Sequence, residues 1–262
     1  MTIIPLVLMT LAERLRQPVT WLVTLVSLAL LGVSFLFGQF NFETQDRLRM
    51  LATSGVAVAV LNGLFLAVLG ASQTVHDELS SRTALTLFAK PLGRGTYLVG
   101  KALAVWITAI LAGLVIAAAH AALLAWAFYH GFEASDHHHD HDLGNEDLWL
   151  SWSSVLAAHL MAMTHSAVMS CLASVLALRL PLIANILACF AVFAGGHLLS
   201  GMGIMGAGPI PALAIFNLDD SIQFRDHPVS PVYLGMTGLY TALYCAGCLF
   251  TGLALFRRQD IS

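Results

Sequence analysis

Charged residues are scarce in this sequence, and their scarcity excludes an ordinary soluble domain. Asp, Glu, Lys and Arg make up 10% of the 262 residues, against roughly 25% in an average soluble domain. Hydrophobic residues make up 58%, and the mean hydropathy is +0.80. This composition is typical of an integral membrane protein, so the lipid bilayer is its first expected partner. No nucleic-acid partner is expected.

The few charges are bunched, which leaves six long stretches without Asp, Glu, Lys or Arg. These stretches cover residues 17–42, 50–76, 102–132, 148–178, 180–218 and 227–256. Each exceeds the roughly 20 residues that a helix needs to cross a bilayer. Because backbone polar groups in hydrocarbon must be paired within a helix, the sequence predicts six transmembrane helices. Their approximate cores are residues 19–38, 51–72, 103–128, 153–177, 182–203 and 232–256.

Cysteine is also scarce, and the positions of the four cysteines exclude a disulfide framework. All four fall within predicted membrane helices: Cys171, Cys189, Cys245 and Cys248. The last two form a C-x-x-C pattern, but it lies in an apolar helix without the strands that accompany redox motifs. We interpret the thiols as packing residues.

The distribution of Lys and Arg predicts that both termini are cytoplasmic, because an excess of these residues marks the cytoplasmic side. The nine basic residues then inside are Arg14, Arg16, Arg82, Lys90, Arg94, Lys101, Arg179, Arg257 and Arg258. The three outside are Arg47, Arg49 and Arg225. We expect the bacterial inner (plasma) membrane as the location.

Residues 3–16 predict an additional, amphipathic helix on the cytoplasmic interface. Apolar residues recur there at helical spacing, at Ile4, Val7, Leu8, Leu11 and Leu15. No small-residue cleavage pattern follows them, so a signal peptide is not favoured. The alternative is an extension of the first membrane helix.

The segment from Asp77 to Lys101 is a charged stretch between two apolar ones. Thr74 is placed like a helix cap, and Pro91 ends helical geometry, which predicts a cytoplasmic helix at about 75–89. Gly93 and Gly95 then favour a turn before the chain re-enters the membrane. The simpler interpretation is a surface helix that only joins two spans.

Seven residues of this segment have a recognisable spacing: Glu78, Thr83, Leu87, Pro91, Arg94, Gly100 and Lys101. It resembles the signature of type-2 ABC-transporter permeases, E-x-x-x-x-T-x-x-x-L-x-x-x-P-x-x-R-x-x-x-x-x-G-K after the second membrane helix. The sequence departs at Arg82, where many relatives have Gly. The similarity extends to the interfacial helix, the six spans, the glycine-rich break after the fifth and the short basic tail.

The resemblance implies a permease subunit of an ATP-driven transporter, with export as the family tendency. The helix at 75–89 would be the coupling helix that docks on a separate cytoplasmic ATPase. The contacts at this interface would come from Glu78, Arg82, Lys90 and Arg94, with packing by Thr83, Leu87 and Phe88 and termination by Pro91. A second permease copy, identical or related, is the other implied partner.

An apparent nucleotide-binding motif overlaps the same segment but does not qualify as one. Gly95 to Lys101 fits G-x-x-x-x-G-K, yet Ala102 stands where Ser or Thr must hold magnesium, and no buried strand precedes the motif. We therefore expect no cofactor and no enzymatic activity in this chain. ATP and magnesium would bind the partner ATPase.

The external loop at 130–150 contains four histidines among three aspartates. His137, His138, His139 and His141 could bind a divalent transition metal weakly, since neutral imidazole suits zinc, copper or nickel. The spacing has no helical or hairpin register, so a solvated polar loop is the simpler interpretation.

Four further histidines fall within predicted spans: His120, His159, His165 and His197. Ionisable residues in a membrane are functional candidates, although neutral imidazoles hydrogen-bonded between helices are the preferred interpretation. Nearby methionines admit a copper path, but methionine is also common packing material.

The residues after the fifth span, 204–231, are rich in glycine and proline, which predicts a broken helix. The family resemblance implies short re-entrant helices there, while close packing through glycine is the alternative. The whole chain, 1–262, is expected to form one all-α membrane domain.

Two rival functions remain, an ATP-independent secondary transporter or channel and a membrane anchor for a partner enzyme. An intramembrane serine protease is disfavoured because Leu198 replaces the glycine expected two positions before Ser200.

Overall fold

The computed structural model describes residues 3–37, 44–81, 93–130, 148–203 and 210–257, and every regular element in these ranges is helical. The N-terminal helices are α1 (Ile3–Arg16) and α2 (Pro18–Phe37). Helix α3 (Thr44–Ala71) continues through a π-helical segment (Ser72–His76) into α4 (Asp77–Ser80). The next helices are α5 (Arg94–His130), α6 (Trp152–Leu176) and α7 (Leu182–Gly201). A 3₁₀ helix (Leu213–Phe216) and α8 (Asp219–Gln223) precede α9 (Pro231–Arg257).

Among the described residues, six helical runs are long and apolar enough to cross a membrane, as many as the sequence predicts. They are Pro18–Leu36, Thr44–Ser80, Arg94–His130, Trp152–Leu176, Leu182–Ser200 and Pro231–Arg257. The second and third runs have 37 residues each. At about 1.5 Å per residue they are longer than a hydrocarbon core of about 30 Å, so each extends beyond it.

Helix α3 lies at the centre of the bundle, against α2, α5 and α6, while α9 packs mainly on α6. In the apolar windows of α3 and α6, 67% and 72% of residues are buried. The corresponding shares are 22% for α2 and 17% for both α7 and α9. Helices α2, α7 and α9 therefore form the periphery, where their apolar faces are available to lipid or to another subunit.

The first and last helices meet at the same end of the bundle. Leu6, Val75, Tyr97, Val175 and Phe256 form one buried cluster there, joining α1, the π-helical segment, α5, α6 and α9. At the opposite end, the Gln45 side chain pairs with the backbone of Trp149, donating at 2.8 Å and accepting at 2.9 Å. An even number of long helices between α1 and the C-terminus returns the chain to the end at which it began, so α1 and the end of α9 lie together.

The predicted cap at Thr74 is wrong. The helical run is continuous from Thr44 to Ser80, and within it the Thr74 hydroxyl donates to the Gly70 carbonyl at 2.7 Å. A hydroxyl engaged with the preceding turn cannot cap a new one. The remainder of the predicted coupling helix, residues 82–89, lies outside the described residues.

The N-terminal helix is confirmed as a helix, but its apolar residues divide between two faces. Leu6 and Val7 are buried, whereas Ile4 and Leu8 are 64% and 59% exposed. The buried face contacts α5. Its position on a membrane interface stays a prediction.

Helix α7 ends at Gly201 and is followed by Gly203 at a φ of +76°, a conformation that glycine adopts without strain. Gly196 lies inside the helix, where an added Cβ would come within 2.7 Å of the Pro211 carbonyl oxygen. Close packing thus explains this glycine. Re-entry of residues 204–231 into the membrane stays a prediction, and residues 204–209 lie outside the described ranges.

Candidate functional site

The candidate site is a set of four polar side chains that flank the predicted coupling segment: Glu78, Arg94, Tyr97 and Lys101. We call this set the clasp. The Glu78 carboxylate accepts hydrogen bonds from Lys101 Nζ at 2.5 Å and from the Tyr97 hydroxyl at 2.9 Å. It therefore connects α4 to the first turns of α5, across the residues that join them.

The π-helical segment determines which acidic side chain joins the clasp. A π-helical turn contains one residue more than an α-helical turn, so every following side chain is displaced by one position around the axis. Glu78 thereby faces α5, while the neighbouring Asp77 is exposed. The carboxylate reaches Lys101 because of this local change in the helix.

Lys101 is the buried cation of the clasp. It is 0% exposed, and its ammonium group lies 5.7 Å from the centre of the Tyr97 ring. Removing an ammonium group from water costs several kcal/mol unless an opposite charge and hydrogen bonds compensate it. Glu78 supplies that compensation, so the two side chains form one electrostatic unit.

Arg94 links the beginning of α5 to the end of α9. Its Nη1 donates to the carbonyl oxygens of Phe256, at 2.8 Å, and Arg257, at 3.1 Å. The last carbonyls of a helix lack partners within the helix and carry partial negative charge, which a guanidinium group stabilises. The guanidinium carbon also lies 5.6 Å from the centre of the Phe256 ring.

Helix α1 packs beside the clasp. A Cβ at Gly100 would come within 2.8 Å of Leu6, so glycine permits the close approach of α1 and α5. The buried guanidinium of Arg14 donates to the side chains of Gln17 and Gln73, the latter in the π-helical segment. Burial lowers the pKa of Arg14 to about 10, an effect that the nearby Glu13 carboxylate opposes.

Sequence reasoning identified Glu78 and Arg94 as interface residues, and the structure gives both of them partners within the chain. Tyr97 was missed altogether. Lys101 belongs to the permease-like spacing, but nothing in the sequence predicts its burial. Contact of Glu78 and Arg94 with an ATPase stays a prediction.

The other predicted site residues lie outside the described residues. These are Arg82, Thr83, Leu87, Phe88, Lys90 and Pro91 in the coupling segment, and His137, His138, His139 and His141 in the external loop. Among the residues that are described, no three His, Cys, Asp or Glu side chains come together as a metal site. All four cysteines are free thiols, as the sequence predicts.

Two of the four membrane histidines form a hydrogen-bonded pair between helices, as expected. His120 Nδ1 lies 2.8 Å from His159 Nε2, and His120 Nε2 lies 3.0 Å from the Leu51 carbonyl oxygen. Because that carbonyl can only accept, His120 Nε2 carries the proton and its Nδ1 accepts from His159. The pair thus joins α3, α5 and α6.

The other two histidines have a different environment. His165 and His197 lie with ring centres 6.4 Å apart, beside a cavity of about 270 Å³. Neither ring nitrogen of His165, and not Nε2 of His197, has a hydrogen-bond partner among the described residues. The hydrogen bonds between helices that the sequence predicts are therefore not found at these three nitrogens within the described ranges.

No protein-family model matches the chain, and no curated protein matches it either.

Proposed function

We propose that this chain is the membrane-spanning permease subunit of an ATP-driven exporter and is coupled to a separate cytoplasmic ATPase. The observation that carries the proposal is the clasp. It contains Glu78, Arg94 and Lys101, three residues of the permease-like spacing, and it connects the two ends of the segment through which coupling would occur.

The clasp provides contacts through which a force applied to the predicted coupling segment would reach the membrane helices. A displacement of residues 82–92 by an ATPase would act on α4 at one end and on α5 at the other. Glu78 and Lys101 hold these ends together, and Arg94 joins them to α9. A docked ATPase would therefore move three membrane helices as one unit.

Orientation is part of the same proposal. The clasp, α1 and the last turn of α9 lie at one end of the bundle, and the Lys and Arg distribution favours that end as cytoplasmic. The peripheral position of α2, α7 and α9 supports pairing with a second permease copy, because these helices expose apolar faces. A translocation path would lie between the copies.

The proposal is tested by purifying the tagged chain from its native membranes together with any ATPase bound to it and measuring ATP hydrolysis by the complex. The paired substitution of Glu78→Gln with Lys101→Met is expected to keep the chain folded, because no buried charge is left uncompensated, but to lower ATP hydrolysis by the complex, because Glu78 is a predicted contact with the ATPase. A complex that contains no ATPase would favour the channel or anchor functions instead.

A further inference from the structure

Two of the four cysteines meet where α6 packs against α9. Cys171 of α6 and Cys245 of α9 interact through their thiol groups, and we call them the thiol pair. Both are free thiols, Cys171 buried and Cys245 partly buried. The partner of Cys245 therefore comes from a neighbouring helix, although the sequence places Cys245 in a C-x-x-C pattern with Cys248.

The two helices approach closely beside the thiol pair. A Cβ at Gly252 of α9 would come within 2.5 Å of Val175, which lies about one helical turn beyond Cys171 on α6. A disulfide bond needs Cα atoms about 4.4–6.8 Å apart, so it joins only helices that pack tightly. Because α6 and α9 pack tightly here and the two thiols are already adjacent, a bond between the sulfur atoms needs little movement of either helix.

The thiol pair borders a cavity of about 390 Å³ between α5, α6 and α9. Among the described residues, no charged side chain lines this cavity. Its polar side chains already donate to backbone carbonyls: Trp106 Nε1 to Met163 at 3.0 Å, Thr164 to Met161 at 2.9 Å and Thr241 to Thr237 at 2.9 Å. The two thiols are thus the reactive groups that this part of the chain presents to the cavity.

The cavity also determines which class of oxidant reaches the thiol pair. Val99 and Ala242 line it and are exposed, so it opens on the surface of the bundle, beside the peripheral helix α9. A charged, water-soluble oxidant such as oxidised glutathione would lose its hydration in such apolar surroundings. An uncharged quinone dissolved in the bilayer enters them without that cost.

We propose that the thiol pair is a redox site, at which a lipid-soluble quinone oxidises Cys171 and Cys245 to a disulfide bond between α6 and α9. Each thiol gives up its proton and one electron as the S–S bond forms. The quinone accepts both electrons and both protons and leaves as the quinol. Apolar surroundings disfavour the thiolate, which is the attacking form, so oxidation takes minutes to hours. The bond restrains α9, whose last turn accepts the hydrogen bonds of Arg94 in the clasp.

The test uses the purified full-length chain in lipid nanodiscs without any ATPase, so its outcome is independent of the transport proposal. The oxidant is a fully substituted benzoquinone, because its ring has no free position to which a thiol would add. Mass spectrometry of unreduced proteolytic peptides is expected to find Cys171 linked to Cys245, with one quinol formed per bond. Free thiols at both positions after treatment, or a link to a different cysteine, would overturn the proposal.

Serine variants separate the thiol pair from the other cysteines. Cys171→Ser and Cys245→Ser are each expected to abolish quinol formation. Cys248→Ser, about one turn from Cys245 on the same helix, is the matched control and is expected to retain it, as is Cys189→Ser. Unchanged size-exclusion profiles establish that the variants fold. Quinol formation that persists in Cys245→Ser, or that is lost in folded Cys248→Ser, would contradict the assignment.

A second oxidant tests access from the bilayer. Oxidised glutathione, at the same concentration and for the same time, is expected to give at least about tenfold less of the disulfide, because its charged groups are costly to transfer into an apolar cavity. Equal yields from glutathione and the quinone would show that the thiols are reached from water and would overturn the role of the quinone.

Discussion

The ion pair of Lys101 with Glu78 allows the contribution of a single residue of the clasp to the stability of the fold to be measured. Lys101 has no exposed side-chain surface, while 19% of the Glu78 side chain remains exposed. We predict that Lys101→Met lowers the free energy of unfolding by about 2–3 kcal/mol, because it leaves a largely buried carboxylate without its cation. Thermal unfolding in detergent measures the change.

The double variant with Glu78→Gln distinguishes charge from packing. It is expected to recover at least half of the lost stability, since no buried charge remains uncompensated. The exposed pair of Arg49 and Asp46, at 3.6 Å, provides the control, and Asp46→Asn should change stability by less than about 1 kcal/mol. A double variant as unstable as Lys101→Met would contradict this explanation.

A second prediction at the scale of single residues concerns the space around Gly55. A Cβ at this position would collide with the His120 ring, whereas a Cβ at Gly32 has no atom within 4 Å. Gly55→Ala is expected to destabilise the protein by about 1–3 kcal/mol, through displacement of the histidine pair. Gly32→Ala should be neutral or slightly stabilising, because alanine favours helix. Melting temperatures that do not differ between the two variants would count against the placement of His120.

The residue-scale contacts were mostly beyond sequence reasoning. The scarcity of charge in the spans marks His120, His159, His165 and His197 as unusual, but the pairing of His120 with His159 depends on helix packing. Lys101 and Glu78 are separated by 23 positions and meet only because α4 and α5 lie side by side. Such contacts carry no periodic signal in one sequence.

Among the helices, the π-helical segment at Ser72–His76 allows the most specific prediction, which concerns the deletion of one residue. Because a π-helical turn contains one extra residue, deletion of Gln73 should restore a regular α-helix and keep the flanking residues in register. Glu78 would still reach Lys101, so the variant should fold, with its melting temperature lowered only by loss of the Gln73 contact with Arg14.

Deletion of Ala67 is the matched control. This residue is buried in the regular part of α3, so its loss rotates every following side chain by about 100° and exposes the buried face. We expect this variant not to fold, as judged by size-exclusion chromatography in detergent. Equal tolerance of the two deletions would contradict the π-helical assignment.

The positions of the long helices are largely predictable from the sequence, because the length of an uncharged apolar stretch is a strong signal. The predicted core at 153–177 compares with Trp152–Leu176, and the predicted helix at 3–16 with Ile3–Arg16. The second span was predicted to end at 72, yet it continues to Ser80, since charge marks where hydrocarbon ends and not where helix ends. The π-helical turn has no composition signature that could have revealed it.

For the whole molecule, the central claim is coupling to an ATPase through residues 75–89. The six spans and the common position of the first and last helices agree with a permease subunit, and the clasp explains why the segment has fixed ends. Arg82 lies within the predicted interface, whereas Arg225 is an exposed cation of the segment between the fifth and sixth spans. Reversing their charges therefore separates an interface effect from a general one.

The most direct measurement is co-purification of the tagged full chain from its native membranes, followed by assay of ATP hydrolysis. We predict an ATP-hydrolysing subunit in the complex, lost in Arg82→Glu and retained in Arg225→Glu. A complex without ATPase activity, or one that Arg82→Glu leaves intact and fully active in transport, would contradict the proposed coupling.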